Sequence, residues 1–424
     1  MSQRKRYVLV GTGARGIHMF AKPILEKFTT YSELVGLYDN NSLRIKGANQ
    51  ILGTKLPGYT NFKRMMAELN PDGLIIASKD STHVDYIVKG LEAGKRVISE
   101  KPLCVDAKQA RKILEVAQKT KASGAECWVT HNMRYIPDVT ECKKLIKQGA
   151  IGTLKSMIFI ETLDRRHGAD YFRRWHRQKK NSGGLLVHKA SHHFDALNFL
   201  ADSTPETLVA QGGLSFYGKN GPCRGVRCMG CQHAGQCEYY LDMWKKDSNR
   251  KLYLDAESKD GYHRDGCVFD ECIDIEDEMN VLYTYRNGVH VTYSMIAFAS
   301  YEGWQMQFEG TEGRLDARCM KSTNWVGGDI TVHGMEKSLG TTLTLFRPKE
   351  GMKEVPLPKL EGAHGGADPQ IQHDLFNRPW DEKPTERMAP LEEAVQAILV
   401  GHAANVSIAR GGKPIAVQDL LIKG

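Results

Sequence analysis

Along the first third of the chain, short apolar runs rich in β-branched residues alternate with stretches of helical spacing. The pattern predicts strands over 7–10, 34–38, 73–77, 96–99 and 126–130, and helices over 17–28, 62–69, 82–93 and 107–120. Turn residues fall between them, as in Asn70-Pro71-Asp72-Gly73 and Ala93-Gly94-Lys95. A βαβα rhythm of this kind implies a parallel sheet covered on both faces. After about residue 130 the rhythm changes. One helical segment, 137–148, precedes strands over 154–162, 207–214, 278–286, 289–296, 305–308 and 314–316. Asn287-Gly288 predicts a type I′ hairpin. A last helix over 391–408 stops at Gly411, Gly412 and Pro414. The expectation is an α/β unit over 1–130, followed over 131–424 by an α+β unit built on a mostly antiparallel sheet.

Composition narrows the class. Of 424 residues, 41% are hydrophobic and 25% charged, the make-up of a globular chain and not of a disordered, collagenous or coiled-coil one. There is no apolar run long enough to span a membrane. The opening Met-Ser-Gln-Arg-Lys-Arg runs straight into 7–10, too short a core for a secretory signal, so a cytoplasmic protein is expected. The net charge of +8, spread over this length, makes no nucleic-acid footprint.

Four of the ten cysteines, Cys104, Cys127, Cys142 and Cys319, stand singly and read as core thiols. The other six crowd between Cys223 and Cys272, in an insertion at about 220–275. Cys223, Cys228, Cys231 and Cys237 have the density of a tetrahedral structural zinc site, with His233, Cys267 and Cys272 as alternative ligands. The other reading is reduced free thiols in an insertion.

The chemistry begins at Gly11-Thr12-Gly13-Ala14-Arg15-Gly16, which follows a strand and opens a helix. The first glycine permits a tight turn, the second lets a pyrophosphate approach the backbone, and the third allows close helix–sheet packing. This is the fingerprint of a Rossmann dinucleotide-binding domain. Asp39, at the end of the second strand, suits the adenosine ribose hydroxyls and repels a 2′-phosphate, which favours NAD over NADP. Arg44 pulls the other way.

With that fingerprint, two more segments, Ala77-Ser78-Lys79-Asp80-Ser81-Thr82-His83 and Ser99-Glu100-Lys101-Pro102-Leu103, resemble the Gfo/Idh/MocA family of oxidoreductases. The resemblance extends through Asn132-Met133-Arg134-Tyr135-Ile136-Pro137 and Gly183-Gly184-Leu185-Leu186-Val187-His188-Lys189-Ala190-Ser191-His192-His193-Phe194-Asp195. It implies a large open sheet in the second unit, assembly as a homodimer or homotetramer, and a sugar, glycoside or cyclitol substrate. It also implies cofactor contacts from Ser78, His83, Glu100 and Lys101, and substrate contacts from Lys101, Arg134 and Tyr135. Lys101 then touches the reacting hydroxyl, with His192 beside it. His188 stands where the family has Asp, and Ala190 where it has Gly.

The residue chemistry agrees. Alcohol oxidation needs a base for the O–H proton and an acceptor for the hydride; imidazole suits the first and nicotinamide the second. If 185–200 is one helix, His188, His192 and Asp195 share a face, and Asp195 orients an imidazole. The same spacing can also bind a metal. On these grounds His192 is the expected base and His188 its helper. Trp175 and His176, with Arg174, are pocket candidates in the basic aromatic stretch 171–177. His364 and Asp368 mark a loop-to-helix junction, the first a pocket candidate and the second a cap. Three rivals stand beside an NAD-dependent dehydrogenase. They are a glycosidase using transient oxidation, a non-catalytic NAD- and sugar-responsive regulator, and a nucleic-acid binder resting on the basic stretch.

Overall fold

A computed structural model of the chain describes residues 4–321 and 340–422. Two sheets organise it. The first has seven strands, in the order Ala389–Pro390, Glu126–Val129, Arg96–Ser99, Gly73–Ile76, Lys5–Val10, Ser32–Tyr38 and Gly58–Tyr59. The strands foreseen from the alternating pattern pair in parallel, and Gly73–Ile76 is buried along its whole length, as a strand covered on both faces must be. The short strand Ala389–Pro390 adds itself antiparallel at one edge, so this sheet also draws on the far end of the chain. Side-chain caps start the covering helices. Asn41 accepts from the Leu43 and Arg44 N–H groups ahead of Ser42–Leu52, and Asp106 accepts from Gln109 N–H ahead of Ala107–Thr120.

The second sheet has nine strands, in the order Gly351–Glu354, Gly340–Arg347, Arg314–Lys321, Glu302–Gly310, Leu154–Asp164, His290–Ala299, Glu278–Tyr285, Pro205–Gly213 and Ile415–Ala416. All its pairings are antiparallel except the central one, where His290–Ala299 lies parallel to Leu154–Asp164. The helices Ser191–Ala201 and Leu391–Ala409 pack together, and the longer one lies on Pro205–Gly213. Burial alternates residue by residue along Glu278–Tyr285, so one face of that strand is exposed, Leu282 included.

Two local expectations are corrected. The turn at 285–289 is not type I′, because only Gly288 has positive φ (+81°). Tyr285 N–H donates to Val289 O across three loop residues, and the glycine supplies the left-handed position of a bulged turn. Nor is 185–200 one helix. Leu185–His188 ends, and Ser191–Ala201 begins afresh after Lys189 and Ala190. The break coincides with an ion pair of 2.9 Å from Lys189 to Glu161, a buried residue of the central strand. It leaves the His188 carbonyl free of the helix ladder.

Asp195 is also committed elsewhere. Both its oxygens accept from Arg134, at 2.7 Å (Nε) and 2.6 Å (Nη2), and Arg134 Nη1 lies 2.7 Å from Glu393. Arg134 and Asp195 are almost wholly buried, so this fork clamps the segment Asn132–Tyr135 onto the two long helices. Removing one partner strands a buried charge. Asp195→Ala is therefore expected to lose about 3–5 kcal/mol of stability in denaturant unfolding, with little change in NAD affinity.

Candidate active site

The carboxyl ends of the parallel strands open into a cleft of ≈ 770 Å³. Strand order reverses between Lys5–Val10 and Gly73–Ile76, and a ligand crevice belongs outside that switch point. The glycine loop is shaped for a close-lying group. Gly11 has φ of +94°, and a Cβ there would sit 2.6 Å from Ala77 O and Ser78 N. A Cβ on Gly16 would meet Gly11 O at 2.4 Å. One on Gly13 would meet nothing nearer than Tyr253 Oη at 3.5 Å, so Gly13 borders open space. Gly11, Gly13, Ala14, Arg15, Asp39, Ser78, His83, Glu100 and Lys101 all line the cleft. Thr12 is buried behind it, where its N–H and hydroxyl both donate to Asp39. These residues fit a dinucleotide.

Asp39 is held firmly. Its other oxygen accepts from Asn41 N–H and from Arg44 Nη1, each at 3.0 Å. Arg44 also pairs with Asp260 at 2.7 Å and donates to Leu252 O. Two carboxylates thus neutralise the one guanidinium that spoke for a 2′-phosphate. Asp260 and Leu252 come from the cysteine-rich insertion, as does Tyr253, whose hydroxyl accepts from Ala14 N–H at 3.0 Å. The insertion therefore reaches the glycine loop itself.

Arg15 and Glu100 hold one another at 2.7 Å, with Asp368 3.2 Å from the same guanidinium. Asp368 is therefore not the expected helix cap: it lies inside Ala367–Phe376, whose N-cap is Gly366 with no side-chain bond. His364 is half-exposed and bonds Asp368 at 2.8 Å, outside the cleft lining. His83 ties the carbonyls of Pro102 and Ser78 together, at 2.8 and 3.1 Å.

Lys101, Trp175, His176 and His188, all singled out from the sequence, line the same cleft. Trp175 stacks on His176 with ring centres 3.6 Å apart. Lys101 Nζ donates to the freed His188 carbonyl at 2.9 Å. Burial pushes the Lys101 ammonium down to about 8, against the pull of Glu100 and Asp80. Burial also drives His176, His188 and His192 well below the usual imidazole range, with Lys101 adding to the shift.

Three expected contacts lie elsewhere. Arg134 is spent on Asp195 and Glu393. Tyr135 is buried beneath the Arg387 guanidinium, 4.4 Å from its ring centre. His192 is outside the cleft lining. Its ring stands edge-on to His131, and its Nδ1 is buried without a protein hydrogen-bond partner. The residue that sequence reasoning passed over is Asp80. Its Oδ2 lies 2.5 Å from His188 Nδ1, and burial raises its carboxyl. The segment 77–83 pointed to the site, but a pairing across 108 residues leaves no mark in the sequence.

Among the described residues, no three His, Cys, Asp or Glu side chains gather as a metal shell requires. All ten cysteines are free. The Cys228 thiol turns inward to Tyr239 O, 3.9 Å away, beside Arg173. The basic stretch is likewise spent internally. Arg173 donates to Tyr239 O, Arg174 pairs with Asp170, and Arg177 pairs with Asp270. No described helix is long and apolar enough to cross a membrane.

With this geometry in view, the comparisons define the class. Residues 5–130 match the Gfo/Idh/MocA oxidoreductase family model for the NAD-binding Rossmann fold, and residues 143–417 match that family's C-terminal alpha/beta domain. The chain belongs to this family of oxidoreductases, and its cofactor is NAD. It is 33% identical to the putative oxidoreductase YteT of Bacillus subtilis, over 98% of both chains. It is 30% identical to an inositol 2-dehydrogenase of Rhizobium meliloti over 139 residues, 33% of this chain and 39% of that one. A levoglucosan dehydrogenase solved with NADH and L-sorbose shares the fold, with a TM-score of 0.70 at 17% identity, covering 98% of this chain and 100% of that one.

NAD is expected to bind at least about tenfold more tightly than NADP, because the Asp39 carboxylate lines the cleft and Arg44 is already neutralised. Asp39→Ala should weaken NAD binding and, by releasing Arg44, narrow that gap. Fluorescence titration of both cofactors checks this, and tighter NADP binding by the unaltered protein contradicts it.

Proposed function

We propose that the protein oxidises a secondary hydroxyl of a sugar, glycoside or cyclitol, reversibly, by hydride transfer to NAD. The observation that carries this reading is the Lys101 ammonium, partly buried and donating to the His188 carbonyl, set beside neutral imidazoles in the cleft that the glycine loop lines. The activity of one relative, an inositol 2-dehydrogenase, supports the substrate class. When bound, nicotinamide accepts the carbinol hydride with both electrons of the broken C–H bond. The Lys101 ammonium stabilises the charge developing on the substrate oxygen. The hydroxyl proton passes to a histidine beside Lys101. The Trp175 and His176 rings offer flat faces to a sugar ring, and Tyr262, whose hydroxyl is buried without a protein partner, is a further polar contact. The exposed face of the large sheet supports a homodimer or homotetramer. The internal pairing of Arg173, Arg174 and Arg177 favours a small-molecule substrate over nucleic acid. A Rossmann unit over 1–130, an α+β unit over 131–424 and a cytoplasmic location complete the reading.

The test is NADH formation, followed by fluorescence, with cyclitols, aldoses and methyl glycosides as donors. No reduction of NAD by any of them contradicts the reading, while glycoside cleavage without net NADH points to transient oxidation instead. Lys101→Ala should slow single-turnover hydride transfer by roughly 10²-fold or more. Lys101 is charged below its shifted pKa and neutral above it. The rate should therefore fall as the pH rises through about 8, and this limb should vanish in the variant.

A further inference from the structure

The proposed oxidation leaves open which imidazole takes the proton, and the geometry answers it differently from the family pattern. His188 and Asp80 are both buried, at 9% and 3% exposure, and meet at 2.5 Å through Nδ1 and Oδ2. They approach from opposite sides of the cleft. Asp80 opens the single turn Asp80–Thr82 beyond the strand Gly73–Ile76, while His188 closes the short helix Leu185–His188. With Nδ1 donating to the carboxylate, the Nε2 lone pair is left free on a ring that lines the cleft. Three rings box the imidazole, with centres at 5.5 Å (Tyr171), 5.9 Å (Trp175) and 4.1 Å (His176). Lys101, bonded to the His188 carbonyl, is held beside it. His192 has none of this. It lies outside the lining, no carboxylate orients it, and the one expected to do so, Asp195, is bound to Arg134.

We propose that His188 is the proton-accepting base, and that Asp80 is the positioning residue that fixes its tautomer and stabilises the imidazolium formed. In the proposed step the substrate O–H proton moves to His188 Nε2, while Nδ1–H stays on Asp80. An acid at position 80 thus stands against the imidazole at position 188, the two brought together from segments 108 residues apart. This rests on the hydroxyl-oxidation reading, but its chemistry can be probed without a substrate.

The probe is diethyl pyrocarbonate, which acylates neutral imidazole nitrogen, applied to the NAD-loaded full chain with peptide mapping by mass spectrometry. His188 should be labelled well before His192. Asp80→Asn should slow labelling of His188 by about tenfold and move its pH midpoint downward, because the anion that favours imidazolium is gone. The groups facing His188 besides Asp80 are Lys101, Arg174, His176, His83 and Tyr171; of these, Lys101 also loses the pull of Asp80, which pushes its ammonium further down. Asp80→Glu should restore part of the rate, which a purely structural role would not require. A thermal melt of each variant separates loss of fold from loss of reactivity. Faster labelling of His192, or an unchanged His188 rate in Asp80→Asn, overturns the proposal. A chain that labels as expected but reduces no NAD with any polyol instead contradicts the hydroxyl-oxidation reading.

Discussion

The contact that governs this molecule is the approach of two strand ends. Beyond Lys5–Val10 the backbone at Gly11 runs so near the 77–78 backbone that a Cβ at 2.6 Å has no room. The turn has positive φ and leaves room only for glycine, and the helical segment that begins at Ala14 follows it directly. The same tight row places Asp39, Ser78, Asp80, Glu100 and Lys101 at neighbouring strand ends around one cleft. Cofactor and substrate chemistry are thus set side by side by sheet topology, before any individual side chain is considered.

The second sheet supplies what the first lacks. Its helices bring His188 to Asp80 and Lys101, and the Arg134 fork to Asp195 and Glu393 holds them at that distance. The price of ordering so many buried charges is met by near-complete pairing. Arg15, Arg44, Arg134 and Arg174 each have a carboxylate partner, which is what a low-dielectric cleft demands. The cysteine-rich insertion joins in through ordinary contacts. Tyr253 meets the glycine loop and Asp260 meets Arg44, so its sequence prominence as a cluster of thiols hid its part in forming the cleft wall.

Legibility followed distance along the chain. Gly11-x-Gly13-x-x-Gly16, the Glu100-Lys101-Pro102 triplet and the parallel strands are local patterns, and each sits where it pointed. The errors were long-range. The hydrophobic spacing of 185–200 suited one helix, but the Lys189–Glu161 pair lies where that helix breaks. Asp195 was matched to a histidine by helical spacing, yet Arg134, sixty-one residues away, claims both its oxygens. Asp80 lay in a segment that pointed to the site, but its pairing with His188, 108 residues away, left no local mark. The density of cysteines in 223–237 suggested ligands, and spacing alone does not show that the Cys228 thiol faces Tyr239 O.

The most direct measurement follows the hydrogen itself. A sugar or cyclitol deuterated at the oxidised carbon is incubated with the NAD-loaded protein, and the reduced nicotinamide is analysed by mass spectrometry. The account predicts that the deuterium is carried on the nicotinamide ring. Product formed with the label released to water, or retained entirely at the substrate carbon with no exchange through bound cofactor, contradicts hydride transfer at this site.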